Sequence, residues 1–191
     1  LHIWITLYET IISFSLASII GIIIASILWS SKTIFRILDP YLTVLNSLPK
    51  ISLGPLIIIW VGAGTNSIIF MALLITVFTT TVNMYNSFIT TDPYKITLMK
   101  SLGATKMQIF SKLVFRGNIP SLINTLKINI SLSLIGVIMG ELLISKQGLG
   151  YLITYGSQVF NLNLVLTSIF VLGIISYLLY IIIDLLERKI K

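Results

Sequence analysis

The chain has 191 residues, of which 56% are hydrophobic and 10% are charged, and its formal net charge is +7. Soluble domains carry roughly 25% charged residues, so this composition predicts an integral membrane protein in the lipid bilayer, with its basic excess in cytoplasmic loops rather than on a nucleic-acid-binding surface. The chain has no cysteine and one histidine, which excludes disulfides, thiol catalysis and a multi-histidine metal site.

Long uncharged stretches predict an all-α bundle of five membrane crossings. At ~1.5 Å per residue, the 22 uncharged residues between Glu9 and Lys32 are enough for a bilayer core of ~30 Å. The 41 uncharged residues between Lys50 and Asp92 hold two crossings joined by a glycine-rich turn at 61–67. The predicted crossings are 10–31, 39–60 (bent or broken at Pro49 and Pro55), 67–89, 120–145 and 163–186, with a polar loop over 146–163.

The basic residues predict which ends of the crossings face the cytoplasm. With a cytoplasmic C-terminus, the inner segments are 30–38, 90–119 and 187–191, and 11 of the 13 basic residues fall on that side if Lys127 is counted. This topology leaves the N-terminus outside. Because the chain begins at Leu1, we treat 1–191 as an N-terminally truncated transmembrane domain, which an upstream helix would complete to six crossings.

The inner segment 90–119 carries the signals of two short helices that meet at a turn. Asp92-Pro93 is a helix start, and Gly103 is placed to be the left-handed residue after that helix. Thr105 and Gln108 form a capping-box pattern that starts a second helix. An apolar stripe on the first helix favours docking on another protein, although a solvated loop or a helix on lipid headgroups also fits: Ile96, Leu98, Met99 and Leu102.

This segment resembles the cytoplasmic signature of binding-protein-dependent ABC transporter permeases, which is called the EAA loop. The matching residues are Ser101-Leu102-Gly103-Ala104-Thr105, Gln108 and Phe110. Thr97-Leu98-Met99 stands where an acidic residue and two alanines are usual. Of two prolines expected downstream, Arg116 replaces the first and Pro120 keeps the second.

The likeness extends over nearly the whole chain. Residues 47–64 and 136–153 resemble the branch of the family that carries sulfonates, taurine and nitrate, whose relatives also carry thiamine-precursor pyrimidines. In the second stretch the matching residues are Glu141 and Gly148-Leu149-Gly150-Tyr151. The resemblance therefore implies a cell-membrane permease subunit that imports a small solute of this kind.

The resemblance also implies partners and a contact surface. In such permeases the loop is a coupling helix that docks on a separate ATPase subunit, and a second permease copy and an extracytoplasmic solute-binding protein complete the transporter. The residues implied at the ATPase contact are Thr97, Leu98, Met99, Ser101, Leu102, Gly103, Ala104, Thr105, Gln108 and Phe110. The chain has no GxxxxGK[ST] motif, so we expect ATP hydrolysis on the partner, and in this chain no catalytic residue, cofactor or metal.

Glu141 is an ionisable residue near the outer end of the fourth crossing. A charge there either satisfies backbone amides of the following loop, lies at the headgroup boundary, or contacts substrate; we favour a gating or structural role over substrate contact. Gly148 and Gly150 are expected to form a tight outer turn, because a nucleotide-binding loop would need a third glycine between a strand and a helix.

Two questions stay open at the level of sequence. Polar residues within the crossings either line a solute pathway or join helices by hydrogen bonds: Asn83, Asn86, Asn129, Ser131 and Ser133. The rival class is a secondary transporter or channel driven by an ion gradient, which would favour paired carboxylates or a broken-helix ion site; only Glu141 is a candidate for either. A membrane-embedded enzyme would need a catalytic set that the sequence does not display.

Overall fold

The computed structural model describes residues 1–190, and the side chains as far as residue 188. This part of the chain forms nine α-helices: α1 (His2–Ser30), α2 (Lys32–Ser47), α3 (Gly54–Val61), α4 (Thr65–Ile89), α5 (Pro93–Ser101), α6 (Lys106–Ile109), α7 (Ile119–Ile144), α8 (Leu149–Gln158) and α9 (Leu162–Ile190). A 3-10 turn over Lys50–Leu53 leads into α3, and a π-helical stretch over Phe110–Phe115 continues α6.

The expected all-α membrane bundle is confirmed. Within residues 1–190, four helices are long and apolar enough to cross a membrane, namely α1, α4, α7 and α9. The second predicted crossing, 39–60, corresponds to α2 together with the 3-10 turn and α3, which meet at an angle of 86°. Two prolines shape this bend, because Pro49 follows the extended Leu48 at the break and Pro55 occupies the first turn of α3.

Three predicted boundaries are wrong. The first crossing begins at His2 instead of Thr10, so that Glu9 lies inside α1, where it has a buried partner in α7. The second begins at Lys32 because the Ser31 hydroxyl accepts a hydrogen bond from the Ile34 amide and caps α2. Within the predicted loop 146–163, residues 149–158 form α8.

Helix α4 lies between α1 and α7 in the centre of the bundle. The contact faces consist largely of small and hydroxyl-bearing side chains, which let the helix axes approach closely. On α1 the buried face is Thr6, Glu9, Thr10, Ser13, Ala17, Ser18, Gly21, Ala25 and Leu28, whereas isoleucines occupy much of its exposed side. The apolar exterior therefore suits lipid, and the polar groups of α1 point into the protein.

The last helix is joined to α7 by apolar packing and by ion pairs. A buried cluster includes Ile130 and Leu134 of α7 and Leu172 and Ile175 of α9. Towards one end, the Lys127 Nζ atom lies 2.6 Å from carboxylate oxygens of both Asp184 and Glu187. Lys127, which was counted above among the basic residues of the inner side, is thus held by α9.

The closest approach between α4 and α7 occurs at Gly136. A Cβ atom built there would lie 2.5 Å from the Ala72 Cα atom, a separation that side chains do not tolerate. Gly173 of α9 offers a matched control, because a Cβ atom there would have no neighbour within 4 Å.

We therefore predict that Gly136→Val separates α4 from α7 and lowers the free energy of unfolding by about 1–3 kcal/mol, the usual cost of overpacking. Thermal unfolding of the purified protein in detergent measures the effect. Gly173→Val should unfold close to the wild-type temperature. Equal behaviour of the two variants would contradict the close packing of these helices.

Candidate functional sites at the two ends of the bundle

The segment between α4 and α7 forms a helical hairpin (residues 90–119) at one end of the bundle, which we call the hairpin end. The predicted start of α5 is confirmed: an Asp92 carboxylate oxygen accepts a hydrogen bond from the Tyr94 amide at 2.8 Å, and Pro93 is the first helical residue. At the base of the hairpin, the Asn118 side-chain amide donates to the Thr91 hydroxyl at 3.0 Å. This bond holds the two ends of the hairpin together at its base.

The turn after α5 is a Schellman motif centred on Gly103. Its φ of +79° lies in the left-handed region, as the sequence predicts. The Gly103 amide donates to the Lys100 carbonyl at 2.9 Å, and the Ala104 amide donates to the Met99 carbonyl at 3.0 Å. These bonds satisfy carbonyls that the helix end would leave without partners. The chain can therefore reverse direction within a few residues.

The second helix begins at the predicted capping box. The Thr105 hydroxyl accepts from the Gln108 amide at 3.3 Å, and the Gln108 side chain accepts from the Thr105 amide at 2.8 Å. The helix continues into the π-helical stretch, whose Phe110 ring packs 5.1 Å from Trp29 and 5.3 Å from Phe88, measured between ring centroids. This aromatic cluster fixes the hairpin to the ends of α1 and α4.

The four apolar residues of α5 do not form the single docking face that the sequence predicts, because they lie on two sides of the helix. Ile96 and Met99 are half-buried and pack against the cluster that contains Phe88. Leu98 and Leu102 point away from the bundle, with 61% and 75% of their surfaces exposed. The i, i+2, i+3, i+6 spacing covers more than one side of a helix, which explains the division.

The ten residues implied at the ATPase contact divide in the same way. Met99, Ala104 and Phe110 are half-buried against the protein itself. The other seven are exposed: Thr97, Leu98, Ser101, Leu102, Gly103, Thr105 and Gln108. The hairpin thus has an inner side that packs on the bundle and an exposed outer side.

At the opposite end of the bundle, which we call the α8 end, Glu141 is 1% exposed and lies at a junction of three helices. Its Oε1 atom accepts a hydrogen bond from the Thr6 hydroxyl of α1 at 2.6 Å, and its Oε2 atom accepts from the Gly150 amide of α8 at 2.6 Å. The Thr6 hydroxyl in turn accepts from the Leu149 amide at 3.0 Å. Glu141 therefore satisfies the first turn of α8, as one of the sequence-based alternatives holds.

Glu9 is a second buried carboxyl group at this junction, and the sequence analysis missed it. It is 1% exposed and faces Glu141 and Thr65 at the start of α4, and its Oε2 atom has no hydrogen-bond partner among the described residues. The sequence-based boundary placed Glu9 outside the first crossing, so its role was not predicted. A signal was present, because Thr6 and Glu9 are three residues apart and therefore lie on one helix face. The expectation that only Glu141 could belong to a carboxyl pair is therefore wrong.

Gly148 and Gly150 lie directly against these groups. Gly148 has a φ of +102°, and a Cβ atom there would lie 2.2 Å from the Glu141 Cδ atom. Its amide donates to His2 Nδ1 at 3.0 Å, which adds a further bond to α1. Gly148 forms the expected turn, whereas Gly150 is already the second residue of α8. Both glycines allow backbone to approach the Glu141 carboxyl group.

Comparisons with known proteins agree with this architecture. Residues 17–191 match the family model described as "Binding-protein-dependent transport system inner membrane component". The formylaminopyrimidine transport permease protein ThiX of Halalkalibacterium halodurans is 30% identical over 98% of this chain and 75% of its own length. The taurine transport system permease protein TauC of Escherichia coli is 24% identical over 99% of this chain and 69% of its own length.

The fold also has a solved counterpart. A chain of the MetNI methionine ABC transporter, in inward facing conformations, superimposes with a TM-score of 0.86 at 22% identity, over 100% of this chain and 94% of that one. At this identity the likeness concerns the fold alone. The family match, together with the helix bundle and its hairpin, identifies the protein's class: the chain belongs to the binding-protein-dependent transport system inner membrane components, as a multi-pass permease subunit of an ABC transporter in the cell membrane.

Proposed function

We propose that this permease imports a small solute with energy from ATP that a separate ATPase subunit hydrolyses. The hairpin is the feature that carries the proposal, because one side of it is built into the bundle and the other side is exposed. The hairpin joins α4 to α7, so a movement of a partner bound to its exposed side would be transmitted to these two helices. The ten residues implied by the EAA-loop resemblance then divide into contact residues outside and anchor residues inside.

The contact surface in this proposal is the exposed apolar part of the hairpin. Leu98 and Leu102 form it together with Tyr94 and Met107, which are 84% and 71% exposed. Apolar side chains clustered at an end of a helix bundle suit a pocket on a protein partner. Ile96 and Met99 hold the opposite side of α5 against the aromatic cluster, which keeps this surface directed away from the bundle.

Further partners and the direction of transport belong to the same proposal. A second permease copy would complete the pathway, and an extracytoplasmic binding protein would deliver the solute at the α8 end. Relatives named for formylaminopyrimidine, taurine and nitrate transport support a small polar solute. The basic residues support a cytoplasmic hairpin end, since 11 of 13 fall on that side in the predicted topology.

Glu141 acts in this proposal as a gating or structural residue, with Gly148 and Gly150. Its bonds to Thr6 and Gly150 join α1, α7 and α8 where the pathway would open to the outside. The Glu9–Glu141 contact resembles the carboxyl pairs of ion-driven transporters. In this chain the bonds of Glu141 go to Thr6 and to backbone at a helix start, which supports a structural use of the pair.

The topology can be tested with single cysteines, because the chain has none. We predict that a membrane-impermeant thiol reagent applied to intact cells labels Ser157→Cys and not Ser101→Cys. Both positions become reactive after the cells are opened, which controls for expression and exposure. Labelling of position 101 in intact cells would place the hairpin outside.

The carboxyl pair gives an asymmetric prediction. Glu141→Gln leaves one acceptor oxygen for two donors, so it should lower the free energy of unfolding by about 1–3 kcal/mol, the cost of leaving a buried polar group unpaired. Glu9→Gln should cost less, because its amide can donate to Glu141 in place of the proton that a contact between two carboxyl groups requires. Thermal unfolding in detergent measures both variants.

Transport measurements complete this test. We expect Glu141→Gln to slow uptake without changing the rank order of competing solutes. An altered rank order, or equal unfolding temperatures for the two variants, would contradict a structural or gating role for Glu141.

The coupling role of the hairpin is tested at Gly103. Valine at a φ of +79° is strained by ~1–3 kcal/mol, so Gly103→Val should disturb the turn and displace Leu98 and Leu102. We expect the ATPase subunit to co-purify poorly with this variant and ATP-driven uptake in vesicles to fall, while membrane insertion is retained.

Gly117→Val is the matched control, since neither Gly103 nor Gly117 has a neighbour within 4 Å of an added Cβ atom and only Gly103 has a positive φ. The control should keep both ATPase binding and uptake. Wild-type ATPase recovery and uptake in Gly103→Val would mean that the hairpin is a plain connection.

A further inference from the structure

The polar residues within the membrane-crossing helices fall into two groups. The Asn129 side-chain amide donates to the Ser18 hydroxyl at 2.9 Å, and the Ser133 and Thr76 hydroxyls lie 3.2 Å apart. These buried pairs join helices, which is one of the two roles considered for them. Ser131 bonds back to the Lys127 carbonyl of its own helix.

Three asparagines behave differently. Asn83 and Asn86 of α4 and Asn124 of α7 make no side-chain hydrogen bond to any residue whose side chain the structure describes. Asn86 and Asn124 are exposed, and Asn83 is partly exposed. All three border one open groove of about 310 Å³ between the two helices. Its lining is Asn83, Asn86, Ser87, Ser121, Asn124, Thr125 and Ile128.

The groove belongs to a longer polar face on each helix. On α4, helical spacing aligns Thr79, Asn83, Asn86 and Thr90, which follow one another at intervals of four, three and four residues. On α7 the corresponding line contains Ser121, Asn124, Ile128 and Ser131. Because α7 begins at Ile119, the groove extends about 13 Å from the hairpin end towards the middle of the bundle.

A primary amide without a partner cannot face lipid at low cost. Each unsatisfied polar group in hydrocarbon costs several kcal/mol, so polar side chains in membrane helices face water or another protein surface. A single unpaired amide could be a local defect that the fold tolerates. Three unpaired amides border the same groove, so a local defect does not explain them. The groove is therefore hydrated or covered by protein.

We propose that this groove is the part of the solute pathway nearest the hairpin end, and that it binds solutes by hydrogen bonds without a fixed charge. The inference rests on the proposed transport function and assigns a site to it. None of the lining residues is ionisable. The neighbouring Lys127 is held by Asp184 and Glu187 of α9, so its charge is already compensated.

Carboxamides and hydroxyls both donate and accept, and this determines the class of solute. The groove can contact an oxyanion through N–H and O–H donors, or a neutral heterocycle through donors and acceptors together. The groove has no charged side chain that would bind anionic or neutral solutes preferentially. A small hydrogen-bonding solute of either kind can therefore pass, and selection between anionic and neutral solutes takes place elsewhere in the transporter.

Cysteine accessibility tests the proposal directly. Asn86→Cys and Asn124→Cys are made singly in the cysteine-free chain, with Leu178→Cys, which is 53% exposed on α9, as the lipid-facing control. Membrane vesicles that expose the hairpin end are treated with two methanethiosulfonate reagents, one carrying a sulfonate and one a trimethylammonium group. A membrane-permeant maleimide confirms that each thiol is present and reactive.

We expect both charged reagents to label positions 86 and 124 and to leave position 178 unlabelled. The ratio of their rates should stay close to that for a free thiol, because a charged cleft concentrates the reagent of opposite sign by about tenfold or more. A tenfold preference for one sign would overturn the uncharged character of the site.

One other outcome would overturn the pathway assignment. Failure of both charged reagents at positions 86 and 124, while the permeant maleimide still reacts there, means that the groove is dry. The labelling needs neither ATP nor the ATPase. A failure of the proposed transport function would instead appear as absent ATP-driven uptake with the labelling pattern intact.

Discussion

The constraint on which this structure depends is that polar groups inside a bilayer must find their partners within the protein. The central helices α1, α4 and α7 meet this constraint with buried faces of serine, threonine, glycine and alanine. Small side chains bring the backbones close, and several hydroxyls bond to carbonyls one turn earlier in their own helices, as those of Thr10 and Thr80 do. The outer apolar faces gain no hydrophobic free energy by leaving lipid, because lipid is equally apolar. Dispersion contacts between the closely packed inner faces therefore hold the helices together.

The two ends of the bundle satisfy the same constraint by different chemistry. At the α8 end, a buried carboxyl group replaces the missing acceptors at the start of a helix, and it joins three helices at one point. At the hairpin end, a Schellman turn and a capping box satisfy the helix termini, and aromatic rings fill the space beneath them. Because the N–H and C=O groups at the helix termini have partners within the hairpin, its conformation does not depend on contact with lipid. The hairpin can therefore keep exposed apolar side chains without losing its conformation.

The groove between α4 and α7 is the exception, and in our proposal it is the route for a polar solute. The Asn129 amide nitrogen and the Ser133 hydroxyl make hydrogen bonds between helices and contribute cohesion, while the Asn129 Oδ1 atom is buried without a partner among the described residues. The three unpaired asparagines contribute none, so they are costly unless water or solute reaches them. The Gly136 contact keeps α4 and α7 close nearer the α8 end, whereas the groove lies between them towards the hairpin end.

The sequence by itself determined the class of protein, the number of apolar segments and the local conformation of the hairpin. Those features follow from composition and from contacts between neighbouring residues: Asp92 and Pro93 open a helix, Gly103 reverses the chain, and Thr105 with Gln108 opens the next helix. The tertiary structure alone decided which side of α5 is anchored, and it paired Glu9 with Glu141 across 132 positions of the chain. It also separated bonded asparagines from free ones. These outcomes depend on which helix faces which, and periodicity within one helix carries no information about its neighbour.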